Sequence, residues 1–220
     1  MKNSLRQMPV TITLIVICVG CYLWTVAQGG STNLAVLIHS GAKDTPLILQ
    51  GQWWRLLTAG FLHIGIQHLV INMVTLYFLG MYVETLFGHW RMLIIYLVSV
   101  VSGNLFSMLM QPVNSVSAGA STGLFGLFGA FIMLGIVFRD NLLVRQIARQ
   151  FFILVIFNFG ADLLMPGVDL AGHFGGFLGG LLSAGMLGST KIGKMDLLKR
   201  FLSGTILIVL IILMFWKAVS

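Results

Sequence analysis

Four polar residues in this sequence could carry out a reaction together, although each lies in strongly apolar surroundings. They are Ser121, His173, and the pair His68 and Asn72. A serine hydroxyl next to an imidazole is the combination of nucleophile and base that acyl transfer requires. Additional N–H donors can stabilise the oxyanion that forms when the nucleophile attacks a carbonyl group. The four residues therefore suggest a hydrolase site, provided that the fold brings them together.

The pair His68 and Asn72 is spaced for one face of a helix, since residues four apart are neighbours there. A neutral histidine offers one N–H and an asparagine offers an NH2 group, so both could point at one oxyanion. Alternatively, such side chains hydrogen-bond neighbouring helices inside a membrane. The pair alone leaves both interpretations open.

Ser121 is predicted to open a helix rich in small residues. Its amide would then lie in the first turn, where N–H groups lack partners within the helix, and could help to bind an oxyanion. The alternative is a serine that only caps a glycine-rich packing helix.

His173 is predicted to lie about one turn inside another helix, which carries two rows of glycines. These rows consist of Gly172, Gly176 and Gly180, and of Gly175 and Gly179. Small residues let membrane helices approach closely. The matching partner is the small-residue face that follows Ser121, formed by Gly123, Gly126, Gly129 and Ala130. Close packing of these faces would bring the imidazole to the hydroxyl.

The composition predicts that the helices holding these residues cross a membrane. Of the 220 residues, 58% are hydrophobic and 9% are charged, whereas soluble domains contain about 25% charged residues. Seven apolar stretches approach the length of about 20 residues that a membrane span needs. They are residues 10–27, 66–86, 91–111, 119–138, 149–165, 170–188 and 201–218. The first is longer than the apolar part of a signal peptide, and we expect it to be retained.

The distribution of lysine and arginine predicts the orientation. With a cytoplasmic N-terminus, ten of the 13 basic residues, beginning with Lys2 and Arg6, lie inside, as the positive-inside rule favours. The second, fourth and sixth spans then all run inward, and their polar residues lie near the outer face. Residues 28–65 are predicted to form a structured outer loop that dips into the headgroup region, or else an ordinary amphipathic connector.

These motifs, in this order, resemble those of the rhomboid family of intramembrane serine proteases over about residues 10–190. The resemblance rests on H-x-x-x-N at His68 and Asn72, G-x-S at Gly119 and Ser121, H-x-x-G-x-x-x-G at His173, Gly176 and Gly180, and W-R at Trp54 and Arg55. It implies an all-α polytopic membrane protein, with a six-helix rhomboid core and a seventh, C-terminal transmembrane helix. The core would be residues 1–190, followed at 191–220 by a cytoplasmic basic linker and the extra helix.

The resemblance also implies a Ser–His dyad that cleaves transmembrane segments of other membrane proteins. Ser121 would be the nucleophile and His173 the base, and Asn72, His68 and the Ser121 amide would hold the oxyanion. A substrate helix would enter sideways from the bilayer and unwind to be cut. No metal, cofactor or nucleic acid is expected, and the cell membrane is the expected location because no Arg- and Ser-rich presequence is evident.

Several residues are expected to support this site by packing or hydrogen bonding. They are Gly119, Phe125, Gly176, Gly180 and Arg55. Phe125 stands where the family often has a tyrosine stacked on the catalytic histidine. Thr122 replaces a glycine common in the family and is expected to narrow the cleft. His63 and Glu84, often polar positions in the family, are expected to form loop or interhelix hydrogen bonds.

No carboxylate partner for the imidazole is evident from the sequence. Asp162 and Asp169 are expected at the outer ends of their helices, with Asp169 capping the sixth, where the helix dipole favours an anion. Without a carboxylate, packing would have to hold the tautomer of His173 and hydrolysis would be slow. Two other functions remain: a catalytically silent rhomboid-like protein that binds membrane proteins, and a transporter or channel, which would need a polar path across both leaflets.

Overall fold

A computed structural model describes residues 8–189 and 191–219, which form an almost entirely helical chain. In chain order the elements are α1 (Pro9–Ala27), α2 (Leu34–His39), β1 (Lys43–Asp44), α3 (Thr45–Leu49), α4 (Arg55–Thr58), a 3-10 turn (Ala59–Phe61), α5 (Gly65–Phe87), α6 (His89–Met110), β2 (Val116–Ser117), α7 (Ser121–Val137), α8 (Leu142–Leu164), α9 (Leu170–Leu187) and α10 (Leu197–Val219). The seven predicted spans correspond to α1 and to α5 through α10. The all-α polytopic fold is therefore confirmed, and Lys2 and Arg6 lie outside the described residues.

In the described part of the chain, six of these helices are long and apolar enough to cross a membrane, and α7 is shorter. With 17 residues, α7 extends only about 26 Å at 1.5 Å per residue. The hydrocarbon core of a bilayer is about 30 Å thick. A helix of this length cannot reach both surfaces of the core, so at least one of its ends lies below a membrane surface.

Two helices, α8 and α10, begin at least four residues earlier than hydropathy predicts. Helix α8 begins at Leu142 instead of residue 149, because Asn141 caps it by accepting the Val144 N–H at 3.2 Å. Helix α10 begins at Leu197 instead of residue 201, after Asp196, whose carboxylate accepts the Leu198 N–H at 2.9 Å. Hydropathy marks the apolar length of a helix, whereas capping side chains mark where the helix begins.

The centre of the fold is α7, which α6 and α9 contact through glycines. A side-chain carbon at Gly180 of α9 would overlap the backbone of Gly126 in α7, and one at Gly176 would overlap Thr122. This part of the predicted packing is confirmed. The second row differs, because a carbon at Gly175 or Gly179 would meet α6 instead. Helix α9 is thus wedged between α6 and α7, and its depth relative to α7 is fixed by backbone contact.

The segment between α1 and α5 is structured, as predicted. The Arg55 side chain is buried, and its guanidinium donates to the carbonyl oxygens of Ile38 at 2.6 Å and Ala42 at 2.9 Å. Strand β1 pairs with β2 in antiparallel register, and the buried Lys43 ammonium donates to the Ser115 hydroxyl at 3.0 Å. Arg55 thus holds the segment together internally, and the pairing of β1 with β2 and the Lys43 contact join it to the residues that lead into α7.

At the other end of α5, Glu84 makes the expected interhelix hydrogen bonds. Its carboxylate accepts the backbone N–H groups of Val10 at 2.9 Å and Thr11 at 2.8 Å, and the Thr11 hydroxyl at 2.6 Å. It therefore caps the first turn of α1, where amides lack helical partners. This contact fixes α1 against α5.

Candidate active site

The hydroxyl of Ser121 and the imidazole of His173 meet between α7 and α9. Ser121 is the first residue of α7, and His173 is the fourth residue of α9. The distance between Ser121 Oγ and His173 Nε2 is 2.7 Å, which is a good hydrogen bond between a hydroxyl and a ring nitrogen. Residues 52 positions apart are thus joined at the start of both helices.

Ser121 does not cap its helix. Ala120 occupies the N-cap position of α7, where no side-chain cap hydrogen bond forms. The serine hydroxyl is therefore used for the contact with His173, and the capping alternative is wrong. The Ser121 amide lies in the first turn of α7, where N–H groups have no helical acceptor, so it could serve as a donor to a bound group.

His173 is held in place by the start of α9. Asp169 caps this helix as predicted, since its carboxylate accepts the Gly172 N–H at 2.8 Å. The same carboxylate accepts the Ser107 hydroxyl of α6 at 2.5 Å. The first turn of α9, which carries His173, is therefore fixed to α6 as well as to α7.

The imidazole of His173 is stacked on the ring of Phe125. The ring centroids are 4.3 Å apart and the planes are 18° from parallel. Phe159 of α8 contacts the same phenylalanine, with 4.6 Å between centroids. His173 is 7% exposed, so these rings shield one face of the imidazole while its edge faces Ser121.

The structure corrects the prediction that no carboxylate partners the imidazole. Asp162 Oδ2 in the last turn of α8 lies 2.6 Å from His173 Nδ1. The short connection between the two helices is the signal that could have indicated this contact, because only five residues separate α8 from α9. Such a short connection places the last turn of one helix beside the first turn of the next, so Asp162 and His173 become neighbours.

His68 borders the space next to the serine hydroxyl. A side-chain carbon added at Gly119 would lie 3.0 Å from His68 Nε2 and 3.3 Å from Ser121 Oγ. His68 Nδ1 accepts the Ile64 N–H at 3.4 Å, so in the neutral ring Nε2 carries the proton. The absence of a side chain at Gly119 therefore lets the His68 ring and the Ser121 hydroxyl lie close to the same part of the backbone.

Asn72 lies one turn further along α5 and is buried. Its side-chain amide donates to the His68 carbonyl oxygen at 2.9 Å. One of its two N–H groups is therefore used within its own helix, and the other remains for a second acceptor.

Thr122 does not narrow the space beside Ser121, contrary to expectation. Its side chain is buried against α6, where a side-chain carbon at Gly103 would lie 3.0 Å from Thr122 Cβ. Successive residues of a helix point in different directions. A residue adjacent to Ser121 in α7 therefore faces a neighbouring helix, and the residues bordering the hydroxyl come from α5, α9 and Gly119.

His63 is a further buried residue at the edge of this site. It lies in the short connection between the 3-10 turn and α5. Its Nε2 accepts the Ala120 N–H at 3.4 Å, which is the expected loop hydrogen bond. Its ring lies edge-on to that of His68, with 5.3 Å between centroids. Burial, and next the charge of His68, lower the pKa of His63 from 6.5 to about 3. His63 is therefore neutral over the ordinary pH range, as an acceptor of this amide must be.

This pKa predicts how stability depends on pH. His63 takes up a proton below pH 6.5 when unfolded, but only near pH 3 when folded. Its contribution is therefore complete above pH 6.5 and is lost as the pH falls toward 3, at up to about 1.4 kcal/mol per pH unit. Thermal unfolding in detergent, measured from pH 7.5 to 4.5, should show a shallower decline for His63→Asn than for the wild type. The exposed His39 provides the control, and equal slopes for His63→Asn and His39→Asn would contradict the assignment.

The comparisons with known proteins all indicate the same family. A family model described as the Rhomboid domain matches residues 50–190. The chain is 40% identical to rhomboid protease GluP of Bacillus subtilis over 183 residues, which are 83% of this chain and 35% of GluP. It is 30% identical to the putative rhomboid protease YdcA of the same organism, over 61% of this chain and 67% of YdcA. It is 37% identical to RHOMBOID-like protein 4 of Arabidopsis thaliana, over 70% of this chain and 39% of that protein. The chain thus spans little more than a third of two of these relatives.

Proposed function

Because this chain belongs to the rhomboid family, we propose that it is an intramembrane serine endopeptidase that cleaves transmembrane segments of membrane proteins. The observation that carries the proposal is the 2.7 Å contact between Ser121 Oγ and His173 Nε2. A hydroxyl and an imidazole from two membrane helices have no need to meet for packing alone. Polar groups inside a bilayer are costly and usually mark a functional site.

In the proposed reaction, Ser121 Oγ attacks the carbonyl carbon of the scissile peptide bond. His173 Nε2 accepts the hydroxyl proton and then passes it to the nitrogen of the leaving amine. The product is an acyl group on Ser121. Water, activated by the same imidazole, then hydrolyses this ester and restores the serine.

The oxyanion formed at each step would occupy the space next to the Ser121 hydroxyl, on the side of His68. His68 Nε2–H borders this space, and the Ser121 amide lies in the adjacent first turn of α7. We propose that these two donors, with the second N–H of Asn72, stabilise the negative charge. Fixed donors in a site with little water are among the largest contributions to catalysis of acyl transfer.

The proposed arrangement in the membrane follows from the charge distribution of the sequence. The N-terminus would be cytoplasmic and the site would open toward the external side of the cell membrane. Residues 1–190 would form the protease core, and residues 191–220 a basic linker with the additional helix. The additional helix, α10, contacts the segment between α1 and α5, because the rings of Phe215 and Trp53 have their centroids 5.0 Å apart.

The experiment that tests the function uses reconstituted protein and a panel of single-span substrates in liposomes. We expect the wild type to cleave at least one of them within or beside its span, and His173→Ala not to cleave it. Substrates with a glycine or proline near the cut should react faster, because their peptide bond leaves the helix more easily. Stable binding without cleavage by the wild type would favour the silent membrane-protein binder. Solute flux that persists in His173→Ala would favour a transporter.

A further inference from the structure

We propose that Asp162 is a positioning residue that fixes the tautomer and orientation of His173, so that the site works as a Ser–His–Asp triad. The inference rests on the proposed function, and it adds a residue that the Ser–His dyad does not contain. The three side chains form one chain of contacts across three helices. Asp162 Oδ2 lies 2.6 Å from His173 Nδ1, and His173 Nε2 lies 2.7 Å from Ser121 Oγ.

The position of Asp162 is difficult to explain by helix structure. It lies in the last turn of α8, where the helix dipole disfavours a negative charge. Its neighbours Leu163 and Leu164 are 70% and 85% exposed, as expected for lipid-facing residues, whereas the Asp162 side chain is only 13% exposed. Within residues 8–189 and 191–219, its carboxylate makes one hydrogen bond, to His173.

Asp169, in the same region, is an aspartate with a structural role. Its carboxylate lies at the start of α9, where the dipole favours an anion, and it accepts the Gly172 N–H and the Ser107 hydroxyl. Asp162 caps no helix. The two aspartates, seven residues apart, therefore differ in function: one stabilises the start of α9, and the other is directed at the imidazole.

A carboxylate at Nδ1 fixes the orientation and the tautomer of the imidazole, which stacking on a ring does not. Phe125 fixes the plane of the imidazole, but a ring rotated by half a turn, or carrying its proton on the other nitrogen, would stack equally well. When Nδ1–H donates to Asp162, Nε2 must present its lone pair to the Ser121 hydroxyl, as a general base requires. The proton stays on Nδ1 throughout, and the carboxylate balances the charge of the imidazolium that forms after Nε2 accepts the serine proton.

Helix α8 carries a second group that holds the carboxylate at the ring. Phe159 lies three residues before Asp162, on the same face of the helix, and packs on Phe125 at 4.6 Å between centroids. Helix α8 therefore contacts both the phenylalanine that stacks on the imidazole, through Phe159, and the imidazole itself, through Asp162.

The test replaces Asp162 with asparagine, which keeps its size but removes the charge. We expect kcat for a cleaved substrate to fall by about a hundred- to ten-thousandfold, as loss of the orienting carboxylate does in serine proteases. KM should stay within about threefold, because the Asp162 carboxylate is directed at His173 Nδ1, on the side of the ring away from Ser121. Asp162→Glu should recover part of the lost kcat. Asp196→Asn is the matched control, because the Asp196 carboxylate accepts the Leu198 N–H at the start of α10, away from the site, and this variant should keep the wild-type kcat.

A spectroscopic measurement makes the inference testable without turnover. The imidazole N–H proton of His173 should resonate far downfield in the wild type and in Ser121→Ala, and this signal should be absent from Asp162→Asn. If Asp162→Asn keeps both the signal and the wild-type kcat, the triad is refuted, whether or not the variant also loses thermal stability. If the wild type cleaves nothing, the proposed function fails, and the proton signal alone decides whether Asp162 orients His173.

Discussion

Replacing Ser121 with alanine is expected to abolish covalent labelling by an alkyl fluorophosphonate, because the attacking oxygen is removed. His173→Ala should slow labelling by about three orders of magnitude or more, since the hydroxyl then loses the base that removes its proton. The two effects should be strongly non-additive, because the side chains act as one unit through the 2.7 Å contact. The measurement is the rate of labelling of purified protein in detergent, followed by fluorescence of a tagged probe.

Ser117→Ala is the matched control for this experiment. Ser117 lies four residues before Ser121, and its hydroxyl is buried without a hydrogen-bond partner in the described structure. Its removal should leave the labelling rate unchanged. Labelling of Ser121→Ala at the wild-type rate would exclude Ser121 as the nucleophile, and a folded wild type that takes up no probe would indicate a silent binding protein.

The long helices could be predicted from the sequence because they depend on local composition. Apolar length identified all seven, and glycine spacing identified Gly176 and Gly180 as the contact of α9 with α7. Hydropathy predicts the start of α8 seven residues too late, since the exposed Arg145 and Arg149 lower the hydropathy of residues that are still helical. Charged residues of this kind end the apolar stretch without ending the helix.

The contacts between helices were harder to predict, because they depend on the angles at which helices meet. The pairing of β1 with β2 joins Lys43 to Ser117, and nothing in either dipeptide indicates its partner. From the sequence, the position of Asp162 at a helix end favours a structural role, which is the usual one there. Its direction toward His173 depends on the tight connection between α8 and α9. The direction of Thr122, into α6, likewise depends on the rotation of α7 about its axis.

The site can form only if α7 and α9 approach to backbone contact, so the second large effect is expected at Gly180. In Gly180→Ala, the added carbon would overlap the backbone of Gly126, which cannot move as a flexible side chain can. Overpacking of this kind costs about 1–3 kcal/mol or more, which exceeds the roughly 1 kcal/mol that alanine gains over glycine in a helix. We therefore expect a lower midpoint of thermal unfolding and, in the folded fraction, slower labelling of Ser121.

Gly160→Ala separates this packing effect from the intrinsic effect of removing a glycine. Gly160 also lies inside a helix, α8, but a side-chain carbon there would have no neighbour within 4 Å. That variant should be as stable as the wild type or more so, with an unchanged labelling rate. In Gly180→Ala, displacement of His173 from Ser121 by about 1 Å would be enough to lower the rate about a hundredfold. If both variants behave like the wild type, the backbone contact between α7 and α9 is not what sets the distance between the hydroxyl and the imidazole.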